Sequence, residues 1–193
     1  MDYPATIDVT TPDRVANWRA LVQWILAIPH LIIASALEYA AGAIAIISWF
    51  VILFTGRLPA GLANFQVMII RYTARAELYA GFLYDEYPPF DFAMAAEEPG
   101  GSAVQVTCRP ALENRNRLTV GLRLFWIIPA ILYFLLIAIV GVICWFLSFF
   151  AVLFTGRWPD GLRSWVMKML RVYVRISAYA LLLTDDYPPF ATD

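Results

Sequence analysis

The chain has 193 residues, of which 61% are hydrophobic, 16% aromatic and 15% charged, with a formal net charge of −1. A soluble domain carries roughly 45–50% apolar and about 25% charged residues, so this surplus of apolar surface calls for lipid. The balanced charge withholds the basic excess on which nucleic-acid binding depends. All 14 Lys and Arg residues stand outside two long apolar runs and flank them at both ends. Glu38 is the one charged residue between Arg19 and Arg57, and none lies between Arg123 and Arg157. Uncharged runs of this length read as membrane segments. Met1-Asp2-Tyr3-Pro4 lacks the cationic start and short apolar stretch of a signal peptide.

In chain order, Ala5 to Thr10 alternates with β-branched residues and predicts a short strand. The first apolar run follows. A single helix over a 33-residue run such as Leu124–Gly156 would extend about 50 Å, against a hydrocarbon core of about 30 Å. A transmembrane helical hairpin in each run places every basic cluster on one side, as the positive-inside rule asks. The predicted helices are 17–37 and 40–55, with Gly42 near the turn and Pro29 kinking the first. The alternative is one tilted span per repeat, preceded by an interfacial helix. Thr55-Gly56-Arg57 reads as a left-handed helix end with a cation at the negative pole of the dipole, and Pro59 starts the next helix. Residues 60–84 predict an amphipathic interfacial helix, ended by Tyr87-Pro88-Pro89-Phe90. Residues 91–102, with Pro99-Gly100-Gly101, form a linker.

The second half then repeats the first at an offset of 100 residues without a gap. Leu53-Phe54-Thr55-Gly56-Arg57 returns as Leu153-Phe154-Thr155-Gly156-Arg157, and Tyr87-Pro88-Pro89-Phe90 as Tyr187-Pro188-Pro189-Phe190. A strand near 103–107, helices over 115–137 and 140–155 with Pro129 and Gly141, and an amphipathic helix over 160–184 complete the copy. The predicted fold is therefore an all-α membrane protein: a tandem repeat, 1–90 and 103–193, of a transmembrane hairpin plus an amphipathic helix, each with a short N-terminal strand. Two copies of one membrane module predict a pseudo-two-fold unit, and the two lone strands can pair with each other.

The helical hairpin ending in Leu-Phe-Thr-Gly-Arg, the basic amphipathic helix, the acidic pairs Asp85-Glu86 and Asp185-Asp186, and Tyr-Pro-Pro-Phe carry a resemblance. Over residues 14–90 and 112–190 the chain resembles the two-copy form of the bacterial membrane family catalogued as domain of unknown function 4389. The resemblance implies that fold and a bacterial plasma membrane location. It implies no activity and no catalytic residues.

Two polar residues lie at membrane depth, His30 and Glu38, and such residues are functional candidates by default. They could relay a proton or bind a cation. Against this, copy two has Ala130 and Ala138 there; a neutral, hydrogen-bonded His30 and a Glu38 at the hairpin turn satisfy the sequence as well. The acidic pairs either hold a divalent cation or, more simply, pair with Arg57, Arg71, Arg75 and their counterparts. Cys108 and Cys144 form no metal or redox spacing, and neither a metal site nor another cofactor is expected. No nucleophile–base motif, phosphate loop or HExxH is present, so the expectation is no enzyme.

The remaining feature is basic. Lys168, Arg171 and Arg175, with Arg71 and Arg75 in copy one and the turn residues Arg57 and Arg157, form the expected site for anionic lipid or a partner segment. The expected function is a non-enzymatic integral membrane accessory or scaffold subunit that binds lipid and a larger membrane protein complex. Both termini are expected in the cytoplasm of a multi-pass protein. The alternative is a small transporter or lipid-binding protein with its site between the two repeats.

Overall fold

The computed structural model describes residues 3–192; the topology expected for residues 1, 2 and 193 lies outside them. Two strands, β1 (Ala5–Val9) and β2 (Val104–Cys108), pair antiparallel. Ala5 faces Cys108 and Asp8 faces Gln105; a shift of 100 residues turns the first pair into the second. Thr6–Thr107 becomes Ile7–Val106 in the same way. A pseudo-two-fold axis therefore passes through the sheet and relates the copies.

The helices are α1 (Arg19–Leu26), α2 (Ile28–Thr55), α3 (Ala60–Ala80), α4 (Arg117–Gly121), α5 (Arg123–Thr155) and α6 (Asp160–Ala180). The hairpins expected inside each apolar run do not form. Helix α2 continues through Gly42 and α5 through Gly141. One glycine costs a helix only about 1 kcal/mol, whereas a turn in apolar surroundings would strand several backbone hydrogen-bonding groups. Gly141 serves packing instead: a Cβ there would lie 2.7 Å from the Cβ of Met169 on α6. Pro29 occupies the first turn of α2, where its missing N–H is no loss, and the chain breaks between α1 and α2 just before it. Helix α5 continues through Pro129.

The reversal comes one step later, at the Thr-Gly-Arg turns. Gly56 and Gly156 adopt φ of 70° and 65° and donate to the carbonyls of Ile52 and Val152, closing α2 and α5 as read from sequence. Pro59 and Pro159 then cap α3 and α6. Tyr72 and Ala76 of α3 return against Ala34 of α2, and Val172 and Ile176 of α6 against Ala130 of α5. Each repeat is thus a hairpin of one long apolar helix and one core helix.

The amphipathic interfacial role expected of α3 and α6 is also corrected. Both are core helices forming a middle layer, and α3 is buried over most of its surface. On one side β2 covers α3 and β1 covers α6; on the other lie α2 and α5. The copies exchange their connections. Val15 N–H donates to Gly156 O and Arg115 N–H to Gly56 O, so the C-terminal end of each long helix abuts the segment entering the other.

The third layer is the unusual one. Only 17% of the most apolar stretch of α2, and the same share of α5, is buried. Both helices are long and apolar enough to cross a membrane, and neither is the buried core helix that could mimic one. Ile32, Tyr39, Ile46, Phe50 and Phe54 on α2 and Leu124, Leu132, Leu136, Ile143 and Phe146 on α5 are exposed. Their spacing puts each set along one side of its helix, facing away from the middle layer.

Candidate functional site

The basic residues expected to bind lipid divide into three groups. Arg57 and Arg157 are exposed at the ends of α2 and α5. Arg117 lies against Gly56, and Arg14 and Arg163 border a cleft with Arg157. Arg71 and Arg75 are the correction: they are buried, at 3% and 6% exposure. Arg71 Nε lies 3.0 Å from Glu98 Oε2 and Arg75 Nη2 2.5 Å from Glu98 Oε1. Glu98 also accepts the Val106 N–H, and Ala95 O accepts from Arg71. The expected linker 91–102 is therefore a strap fastened to α3 and β2. Lys168 and Arg171 are half-buried. Arg171 is 3.9 Å from Asp8 of β1, while Arg175 donates to Ala191 O. The stripe thus turns toward the sheet, because the opposite side of α6 is taken by α5.

The acidic pairs are structural in copy two. Asp185 accepts from Arg115 at 2.7 and 3.0 Å, from Arg123 at 2.8 Å and from the Asn116 N–H. Burial opposes its charge, but these bonds hold its carboxyl below the usual carboxylate range. Pairing with arginine was expected, though not with these two. Arg123 also donates to Tyr179 O and Thr184 O. In copy one Gln23 makes the same two bonds, to Tyr79 O and Tyr84 O.

His30 and Glu38 do not form a pair. His30 is fully buried, hydrogen-bonded through Nδ1 to Tyr72 Oη at 2.8 Å and stacked on Phe90 with ring centroids 4.1 Å apart. It anchors the Tyr-Pro-Pro-Phe tail onto α2, a packing role. Glu38 lies midway along the unbroken α2, not at a turn, and accepts from Tyr173 Oη at 3.5 Å.

Glu38 belongs to a different set. Thr73 and Glu77 of α3 and Tyr173 and Ser177 of α6 are equivalent positions, offset by 100, where the two core helices meet near the axis. Glu38, Thr73, Tyr173 and Ser177 line a cavity of about 200 Å³. Burial, with the Glu38 carboxylate adding to it, pushes Glu77 up to about 7. The sequence reading overlooked Glu77, although its place opposite Ser177 in the repeat register was visible. Among the described residues no three His, Cys, Asp or Glu side chains gather as a metal site.

The raised Glu77 carboxyl has a measurable consequence. Between its ordinary value of 4.5 and about 7 the folded chain keeps a proton that the unfolded chain releases. This group therefore lowers stability as pH climbs through that window, and its contribution levels off above it. Thermal unfolding across pH 5–8 is expected to show that decline, and Glu77→Gln to remove it. An unaltered pH profile in the variant would show that Glu77 is solvated.

No curated protein and no solved structure matches the chain. A family model described as Domain of unknown function (DUF4389) matches twice, over residues 17–91 and 117–192. These matches cover both helix pairs and both tails, and the chain belongs to that family as a two-copy member.

Proposed function

We propose that the protein is a non-enzymatic membrane module that lies in one leaflet through the outer faces of α2 and α5 and presents its strand layer to a partner complex. One observation carries this reading: the apolar face and the polar strand layer lie on opposite sides of the middle helices. If α2 and α5 crossed the bilayer, the sheet beside α3 and α6 would enter hydrocarbon with Asp8 and Gln105 exposed on it. Each such group costs several kcal/mol there. Lying in the plane, the long helices sink about 5–10 Å and every polar element stays in water. This replaces the expected multi-pass topology while keeping all basic clusters on one side. Arg57 and Arg117 at one end, and Arg14, Arg157 and Arg163 at the other, then sit at headgroup level and attract anionic lipid. Lys168 and Arg171, beside the strands, fall to the partner side.

Single cysteines test the seating. In a variant lacking Cys108 and Cys144, residues 57, 157 and 100 replaced in turn by cysteine are expected to label from the same side of sealed membranes. Labelling of 57 and 157 from opposite sides would establish one crossing per repeat.

A further inference from the structure

The strap 91–102 shows how this fold holds an extended acidic segment. Glu98 binds Arg71 and Arg75 and accepts the Val106 N–H, so one carboxylate joins α3 to β2. Arg71 also donates to Ala95 O, within the same strap. Phe92 stacks on Tyr72 with ring centroids 5.1 Å apart. Two guanidiniums can be buried here, at 4% and 7% side-chain exposure, because the carboxylate is buried with them.

The repeat places the same two guanidiniums on α6, as Arg171 and Arg175. Here the neighbouring strand is β1, and the surface beside it is open. The Arg171 side chain is 32% exposed, against 4% for Arg71, and its ion pair is a long contact of 3.9 Å to Asp8. Asp8 in turn borders a cleft of about 290 Å³ with Pro4, Thr6, Arg109 and Arg175. Arg109 is exposed, and Arg175 donates to Ala191 O. Arg109 and Arg175 thus share the cleft with the Asp8 carboxylate, which Arg171 approaches from α6.

We propose that this face of α6 and β1 docks an extended acidic segment of a partner protein in the manner of the strap, a carboxylate of that segment replacing Asp8 on Arg171 and reaching Arg109. The proposal rests on the partner-facing strand layer described above and states the chemistry of what it meets. Two things select the occupant. The fold already holds such a segment at the related position in copy one, and the planar donor fork of a guanidinium matches a carboxylate. Position 172 is valine where copy one has Tyr72, so no ring stacks there and recognition falls to the charges. Such a dock weakens as salt rises.

The test uses the full chain in detergent micelles and, as probe, a fluorescein-labelled peptide with the sequence of residues 91–102. Its anisotropy is expected to rise and saturate at low salt. Arg171→Gln should weaken binding about tenfold, the loss of one charge-assisted contact. Asp8→Asn, which removes the competing carboxylate, should strengthen it. Neither substitution removes a buried contact, and circular dichroism checks the fold. A peptide carrying Glu97→Gln and Glu98→Gln should bind poorly, whereas one carrying Phe92→Ala should bind like the parent. Displacement of the chain's own strap would give the reverse pattern, with dependence on Phe92 and none on Arg171. That pattern, equal affinity for a scrambled peptide, or no saturable binding would each overturn the proposal. Flotation with liposomes reads the membrane seating separately, so loss of one result leaves the other standing.

Discussion

Replacing Glu98 with alanine is expected to lower stability by about 3–5 kcal/mol, the range found when one partner of a buried ion pair is removed. The carboxylate sits between Arg71 and Arg75, and the three side chains are 9%, 4% and 7% exposed. Water cannot take over the bonds it makes. Without it, Arg75 retains Asp91 at 3.7 Å, a half-exposed partner, and Arg71 retains the carbonyls of Val106 and Ala95. Against a total stability of about 5–15 kcal/mol this is a large fraction. In a chain of this length it corresponds to a fall in Tm of about 6–20 °C. The strap 91–102 should become sensitive to protease at the same time, because Glu98 is what fastens it. Replacing Arg71, Arg75 and Glu98 together by apolar residues of similar volume should restore most of the loss, since the penalty comes from unpaired charge. A Glu98→Ala variant within about 1 kcal/mol of the parent would mean that the cluster is hydrated and the strap held by something else.

The second large effect concerns the membrane. Ile32→Lys combined with Leu136→Lys is expected to release the folded protein from bilayers. Both side chains are about two-thirds exposed in the protein alone, at 65% and 66%, so the substitutions should change folding stability by no more than about 0.5 kcal/mol each. In the bilayer each parent residue contributes about 1.5–3 kcal/mol by leaving water. Losing two such contributions amounts to a partition change of roughly 10²–10⁴. Flotation with liposomes measures it directly, with circular dichroism as the check on folding. Retention of the double variant on liposomes of neutral lipid would show that the outer face of α2 and α5 is not what meets the membrane. It would then be free for a protein partner.

Dependence on distant parts of the chain separates what was legible in the sequence from what was not. The 100-residue repeat, the Thr-Gly-Arg helix ends, the paired strands and the family were all readable, because each rests on local chemistry: turn glycines, alternation, and motif recurrence at fixed spacing. Two long apolar runs flanked by arginine, one of them interrupted only by Glu38, were enough to call for apolar surroundings. The position of the hairpin turn was not readable. Gly42 and Gly141 are equally compatible with a turn and with a continuous helix; Met169 closes on Gly141, whereas a Cβ on Gly42 would meet nothing within 4 Å, and there the helix continues because a turn in apolar surroundings would strand backbone groups. The role of the arginines was likewise hidden. A basic stripe at helical spacing has the same appearance whether it faces headgroups or, as with Arg71 and Arg75, a carboxylate from a segment more than twenty residues away. Glu77 and Thr73 gained their meaning only when the two core helices met near the axis and Glu38 was brought over them. Sequence by itself determined the modules and their symmetry, since these depend on neighbours in the chain. The tertiary structure decided which face of each module is covered, because burial is set by residues far apart in sequence.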